Sequence, residues 1–302
     1  MIRPSGIDPR LLLSGFELGW LSLLGDGLLA VSALAYLLGA LRLRQRGRRW
    51  RAGATASFMG GIAVVFVAVG SGLAHYDDVN LSAHVVQHIL LMMVAPPLLV
   101  LGRPLTLLLQ ASGRAAQTRW LAIMRSRPLA LATSWPSALV YYGVMWGYFF
   151  SPWYAASVRS PALHEATHLA FLLAGLCYWQ CLLAPDRYGH QPSRLARVGA
   201  ILAGMPIEMY LGFALHGSTV AIGPGTTAAT TRAGGQLFWW LSMLVSGVAL
   251  AIALGQWVLE EERAAARLDR LEQEDGGWSY PEPSELGSGQ RGISRGLPAR
   301  AR

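Results

Sequence analysis

The sequence contains no lysine: all 25 of its basic residues are arginine. That absence excludes Schiff-base chemistry, covalently held retinal or pyridoxal, and any phosphate-binding loop that depends on a lysine. Charge of either sign is scarce, at 14% of residues against about a quarter in soluble domains. Cysteine is almost absent too. Cys177 and Cys181 are the only two, four apart in an apolar stretch, which excludes a disulfide framework and fits either a buried structural pair or a soft-metal pair. No cleavable leader is evident in "MIRPSGIDPR", and no internal repeat is visible.

What the chain has in place of charge is long apolar runs. Hydrophobic residues make up 53% of its 302 positions, and the mean hydropathy is +0.37. Seven stretches, near 18–41, 54–74, 84–109, 129–150, 164–184, 198–217 and 235–258, reach the roughly 20 residues needed to cross a bilayer. The expected fold class is therefore all-α, a polytopic membrane helical bundle of seven transmembrane helices. The third stretch carries Pro96 and Pro97 and is expected to kink or to end at the interface.

Arginine placement predicts the orientation. Segments 42–51, 103–127, 185–197 and the chain from 259 onward hold 21 of the 25 arginines. Positive charge stays inside, so the N-terminus is expected outside and the C-terminus in the cytoplasm. The net charge of +8 then reflects membrane topology, with no nucleic acid expected as a partner. The organisation read from this is an extracytoplasmic segment 1–17, a membrane domain 18–258, a cytoplasmic helical extension 259–275 and a disordered cytoplasmic tail 276–302.

With that topology, six of the seven histidines fall at the outer ends of spans. His75 ends the second span, His84 and His88 open the third, His164 and His168 open the fifth, and His216 ends the sixth; His190 lies inside. His84, His88 and Met92 follow one helical stripe, and His164 and His168 form a second i, i+4 pair. On the sixth span Met205 and Met209 share a face with His216. Imidazole beside thioether suits Cu(I), although methionine in an apolar span is ordinarily packing. Polar rings at lipid depth are costly and point to function. Asp26 and Glu208 are intramembrane carboxylates fit to partner a proton, a metal or a buried polar group, and "HYDD" at His75–Asp78 offers further ligands or a loop cap. Pro96 and Pro97 donate no backbone hydrogen bond, so the carbonyls of Met92 and Met93 lose their usual partners.

Two other readings compete. His164, Glu165 and His168 spell H-E-x-x-H, the pattern of a zinc metalloprotease with a glutamate base between two ligands. No recognisable third ligand follows, and Glu208 would serve only by coincidence of packing. A bis-His haem b cytochrome would take one histidine from each of two helices, as His88 and His168 could supply.

At the third span the text resembles a known family. "HVVQHILLMMVAPPLLVLGRP", His84 to Pro104, is similar to the signature of the CtaG-type assembly factors of caa(3) cytochrome c oxidase, polytopic proteins of the bacterial plasma membrane. "HEATHLAFLLAGLCYWQCLLAP" in the fifth span extends the likeness. The resemblance implies a multi-pass inner-membrane protein that is not an enzyme. It implies a role in maturing a haem–copper oxidase by handling copper, with oxidase subunits or a copper donor protein as partners. By position, His84, His88, Gln87, Pro96, Pro97, His164 and His168 match the family pattern, and Glu165 does not belong to it. Ahead of the seventh span, "TTRAGGQLFWW" departs from the family's acidic-Gln-Gln segment, and Gln236 is its one candidate remnant.

Overall fold

In this computed structural model residues 20–73, 80–183 and 192–275 are described, and among them the secondary structure is helical with no strand. The elements are α1 (Trp20–Gln45), α2 (Ala52–Val69), α3 (Leu81–Ile89), a π-helical segment (Leu90–Val94), α4 (Ala95–Leu101) and α5 (Pro104–Ala111). They continue with α6 (Arg114–Met124), α7 (Arg127–Ala132), α8 (Pro136–Phe150), α9 (Trp153–Arg159), α10 (Pro161–Leu183), α11 (Arg194–His216) and α12 (Ala228–Asp275). His75, the rest of "HYDD", His190, the N-terminal segment 1–17 and the tail 276–302 lie outside the described residues.

Two caps set the starts of the helices that matter most. Asn80 Oδ1 accepts from the N–H groups of Ser82 and Ala83 and opens α3. Ser160 Oγ accepts from Leu163 N–H, and Pro161 occupies the first helical position of α10, where its missing donor costs nothing.

Among the described residues, six helical stretches are long and apolar enough to cross a membrane, including Leu81–Ala111, Pro161–Leu183 and Arg194–His216. The fourth expected span is broken. α7 ends at Ala132, and Pro136 opens α8 with only 15 residues, about 22 Å of helix against a core of about 30 Å. The third span shows its strain ahead of the prolines, as the π turn Leu90–Val94, and breaks again where Arg103 adopts φ 52°.

α4 packs against α2 and α10, α10 also lies against the π segment and α8, and α1 lies along α5. Gly175 of α10 makes the closest seam possible: a Cβ there would stand 2.6 Å from Pro96 Cγ and 2.7 Å from the Met92 carbonyl oxygen. That carbonyl has lost the N–H of Pro96, and Trp179 Nε1 donates to it at 3.1 Å in its place. One turn of α10 thus supplies both the space and the donor that the Pro-Pro sequence demands.

The residues group into two units, Met1–Ala253 and Leu254–Arg302. In the second unit residues 254–273 are helical, rich in charge and mostly exposed, with Trp257 Nε1 donating to Glu261 at 3.2 Å.

Candidate functional site

Both caps place a histidine at the same position. The N–H of His84 donates to the Asn80 carbonyl at 3.1 Å, and that of His164 to the Ser160 carbonyl at 2.9 Å. Each is the fourth residue past its cap, and each is followed one turn later by a second histidine, His88 or His168. Four residues of α-helix rise about 6 Å, so α3 and α10 present two levels of imidazole each.

The helices bring these levels together. Ring centroids lie 4.4 Å apart for His84–His88, 5.5 Å for His84–His164, 4.4 Å for His164–His168 and 5.9 Å for His88–His168. The four rings form a closed quadrilateral across one seam, and all four residues are buried. His84 Nε2 and His88 Nε2 are 2.8 Å apart. Two nitrogens bound to one ion at about 2.0–2.1 Å and about 90–109° stand about 2.8–3.4 Å apart, so this spacing fits a shared ligand position. The rings are gathered but not aimed: among the described residues no three His, Cys, Asp or Glu side chains are arranged to hold one metal ion. Turning imidazoles about their broad final torsion is the change that would close the set. His88 Nδ1 is buried with no hydrogen-bond partner among the described residues, an orphaned polar atom of the kind that a ligand would satisfy.

The surrounding shell is aromatic. Phe171 stands edge-on to His88 at 4.1 Å, Tyr154 edge-on to His84 at 5.0 Å, and Tyr148 lies parallel to His84 at 5.6 Å. Tyr148 OH is 2.8 Å from His84 Nε2 and 2.9 Å from Ser157 Oγ, which donates to the Tyr154 carbonyl at 2.8 Å. Gly223, at φ 122°, leaves room for the Tyr154 ring where any Cβ would collide.

The other expected site residues take different places. Gln87 is fully buried, and its Nε2 donates to the Ala68 carbonyl at 3.0 Å, bracing α3 on α2. Met92 is buried in the core, four residues after His88 in the chain, and Pro96 is buried too; Pro97 is only partly buried. Asp26 approaches Gly70 at the end of α2. Glu208 is buried on α11 and accepts from Ser246 Oγ at 2.7 Å. His216 is exposed, with Nδ1 3.1 Å from the Arg232 carbonyl oxygen, which seats the end of α11 on α12. Glu165 Oε2 lies 3.5 Å from His168 Nδ1. Tyr148, Tyr154 and Ser157 carry no spacing signal of their own; the aromatic run "YFFSPWY" at 148–154 was the one available hint.

Comparison with known proteins adds a second line. A family model described as cytochrome c oxidase caa3 assembly factor matches residues 34–260. The chain is similar to an uncharacterized protein of Mycobacterium leprae, 27% identical over 259 residues, covering 80% of this chain and 39% of the relative. It is similar also to uncharacterized proteins of Mycobacterium bovis and Mycobacterium tuberculosis, each 28% identical over 264 residues, covering 81% of this chain and 40% of the relative. The chain thus spans about two-fifths of the length of the curated relatives it matches. No solved structure matches.

Proposed function

The chain belongs to the cytochrome c oxidase caa3 assembly factor family, and from that premise we propose that it matures such an oxidase by holding copper as cargo between α3 and α10. The observation that carries this reading is the closed quadrilateral of His84, His88, His164 and His168. Copper accepts imidazole donors, and a thioether favours its reduced state, which gives buried Met92, four residues after His88, a role as a soft neighbour. The aromatic walls keep water out, so a cation would stay only where the rings replace its hydration. Such a role is delivery, not catalysis.

The arginine asymmetry supports an outward-facing cluster, with the N-terminus outside, the C-terminus in the cytoplasm and the protein in a bacterial plasma membrane. α7 and α8 together then make the seventh crossing. Asp26 and Glu208 would act as supporting carboxylates within the bundle. Copper would pass to oxidase subunits from a donor protein. The zinc-protease reading needs Glu165 to activate water, whereas its carboxylate is turned to His168. A haem would need a flat gap between His88 and His168, where Phe171, Tyr148 and His84 already stand close to His88.

The test is genetic. A deletion strain is expected to lose caa3-type oxidase activity, regain it with added copper and regain it with the wild-type gene. A gene with all four histidines changed to alanine is expected to fail. Full rescue by that gene would refute the site.

A further inference from the structure

The exposure of the histidine cluster is graded, and the gradient points to one side. His84 and His88 of α3 are 0% and 2% exposed, while His164 and His168 of α10 are 8% and 6% exposed. The neighbouring Glu165 side chain reaches 36%. Rings close the α3 side: Tyr148, Tyr154 and Phe171 stand against His84 and His88 and are each at most 2% exposed. α10 has two flanks. At about 100° per residue, Thr167 falls on one side of the His164/His168 stripe and Glu165 on the other. The Thr167 flank is sealed, with Trp153 Nε1 donating to Thr167 Oγ1 at 2.9 Å and Thr167 itself 1% exposed. On the Glu165 flank a polar group beside the stripe reaches the surface.

We infer that Glu165 is the entry carboxylate of the cluster, a positioning residue that draws a soft monovalent cation from water and delivers it to His168. Its Oε2 lies 3.5 Å from His168 Nδ1, so an ion attracted to the carboxylate arrives at an imidazole. Asp26 of α1 adds to the field, since its charge and that of Glu165 act on each other. Its Oδ1 is buried with no hydrogen-bond partner among the described residues. Gly70 leaves that oxygen its space: a Cβ there would lie 2.7 Å from it. Two carboxylates that repel each other attract a passing cation more strongly than either does alone. Their oxygens are hard ligands, whereas Cu(I) is held by nitrogen and sulfur. The pair therefore speeds arrival and leaves residence to the imidazoles. The same geometry accounts for the H-E-x-x-H spelling without a protease. One position after His164, the glutamate is swung about 100° off that ring and onto the open flank.

The inference rests on the copper reading, and the test separates the two. The purified full chain in an uncharged detergent is mixed with Ag(I), a soft monovalent ion standing in for Cu(I), in nitrate salts. Uptake is followed by stopped-flow tryptophan fluorescence. At low ionic strength Glu165→Gln is expected to load about tenfold more slowly than the wild type, the lower end of the range for electrostatic steering, and to reach the same final amount. Glu165→Asp keeps the charge and is expected to load at close to the wild-type rate. Added nitrate is expected to slow the wild type toward the Glu165→Gln rate. That arm needs no variant, so the test stands even if Glu165→Gln folds poorly. Four results overturn the inference and leave the copper reading standing: equal rates in wild type and Glu165→Gln, a lower final amount in folded Glu165→Gln, Glu165→Asp as slow as Glu165→Gln, or a wild-type rate indifferent to salt. Wild-type protein that takes up neither Ag(I) nor Cu(I) defeats both.

Discussion

Trp179 illustrates how a single side chain answers a backbone problem set elsewhere in the chain. Pro96 removes the N–H that the Met92 carbonyl would use, and Trp179 Nε1 donates to that oxygen at 3.1 Å from a position 87 residues away. Replacing Trp179 with phenylalanine is expected to cost about 1–3 kcal/mol, the price of a buried acceptor left unmet. Thermal unfolding in detergent should show the loss, while Trp146→Phe, whose Nε1 has no partner among the described residues, should lose little. A second residue-scale case is Glu208, whose Oε2 accepts from Ser246 at 2.7 Å. Ser246→Ala should lower the unfolding midpoint, and a midpoint equal to wild type would mean that Glu208 is satisfied by other groups. The need for a partner at Met92 was readable from the Pro-Pro sequence alone. Which residue meets it was not, because a long-range donor leaves no local pattern.

At the scale of elements, the site is a seam between two helices that start alike. Asn80 and Ser160 cap α3 and α10, and each cap is followed by a histidine at the fourth and at the eighth position. The pairs were legible as i, i+4 spacing. Their equal depth was legible only once the caps were known, and their facing one another depended on Gly175, where a Cβ would lie 2.6 Å from Pro96 and 2.7 Å from the Met92 oxygen. Gly175→Ala should therefore force α10 away from the π segment, lowering the unfolding midpoint and the yield of folded protein together. A variant with wild-type stability would show that the seam is looser than its distances indicate. His216 shows the opposite outcome for sequence reasoning. Its place at a helix end suggested a ligand, while its Nδ1 lies 3.1 Å from the Arg232 carbonyl, which ties α11 to α12. A ring that serves as a helix-end brace and one that serves as a ligand have the same spacing in sequence.

At the scale of the whole molecule, composition and hydropathy announced a membrane bundle, and six described stretches meet the length and apolarity of a span. The fourth expected span was misjudged in its continuity, because hydropathy does not register that Thr133–Trp135 and Pro136 interrupt α7 and α8. The orientation proposed from arginine placement has a direct check. In a Cys177→Ala/Cys181→Ala background, an impermeant maleimide should label Val220→Cys, exposed between α11 and α12, on intact spheroplasts. It should label Arg119→Cys only after lysis; the reverse pattern would invert the topology. The most direct test of the central claim is copper stoichiometry. Purified protein loaded with Cu(I) in detergent and freed of excess metal should retain about one copper per chain, as expected for one closed ligand set. The His84/His88/His164/His168 alanine variant, shown to be folded, should retain none; equal copper in both would contradict the account.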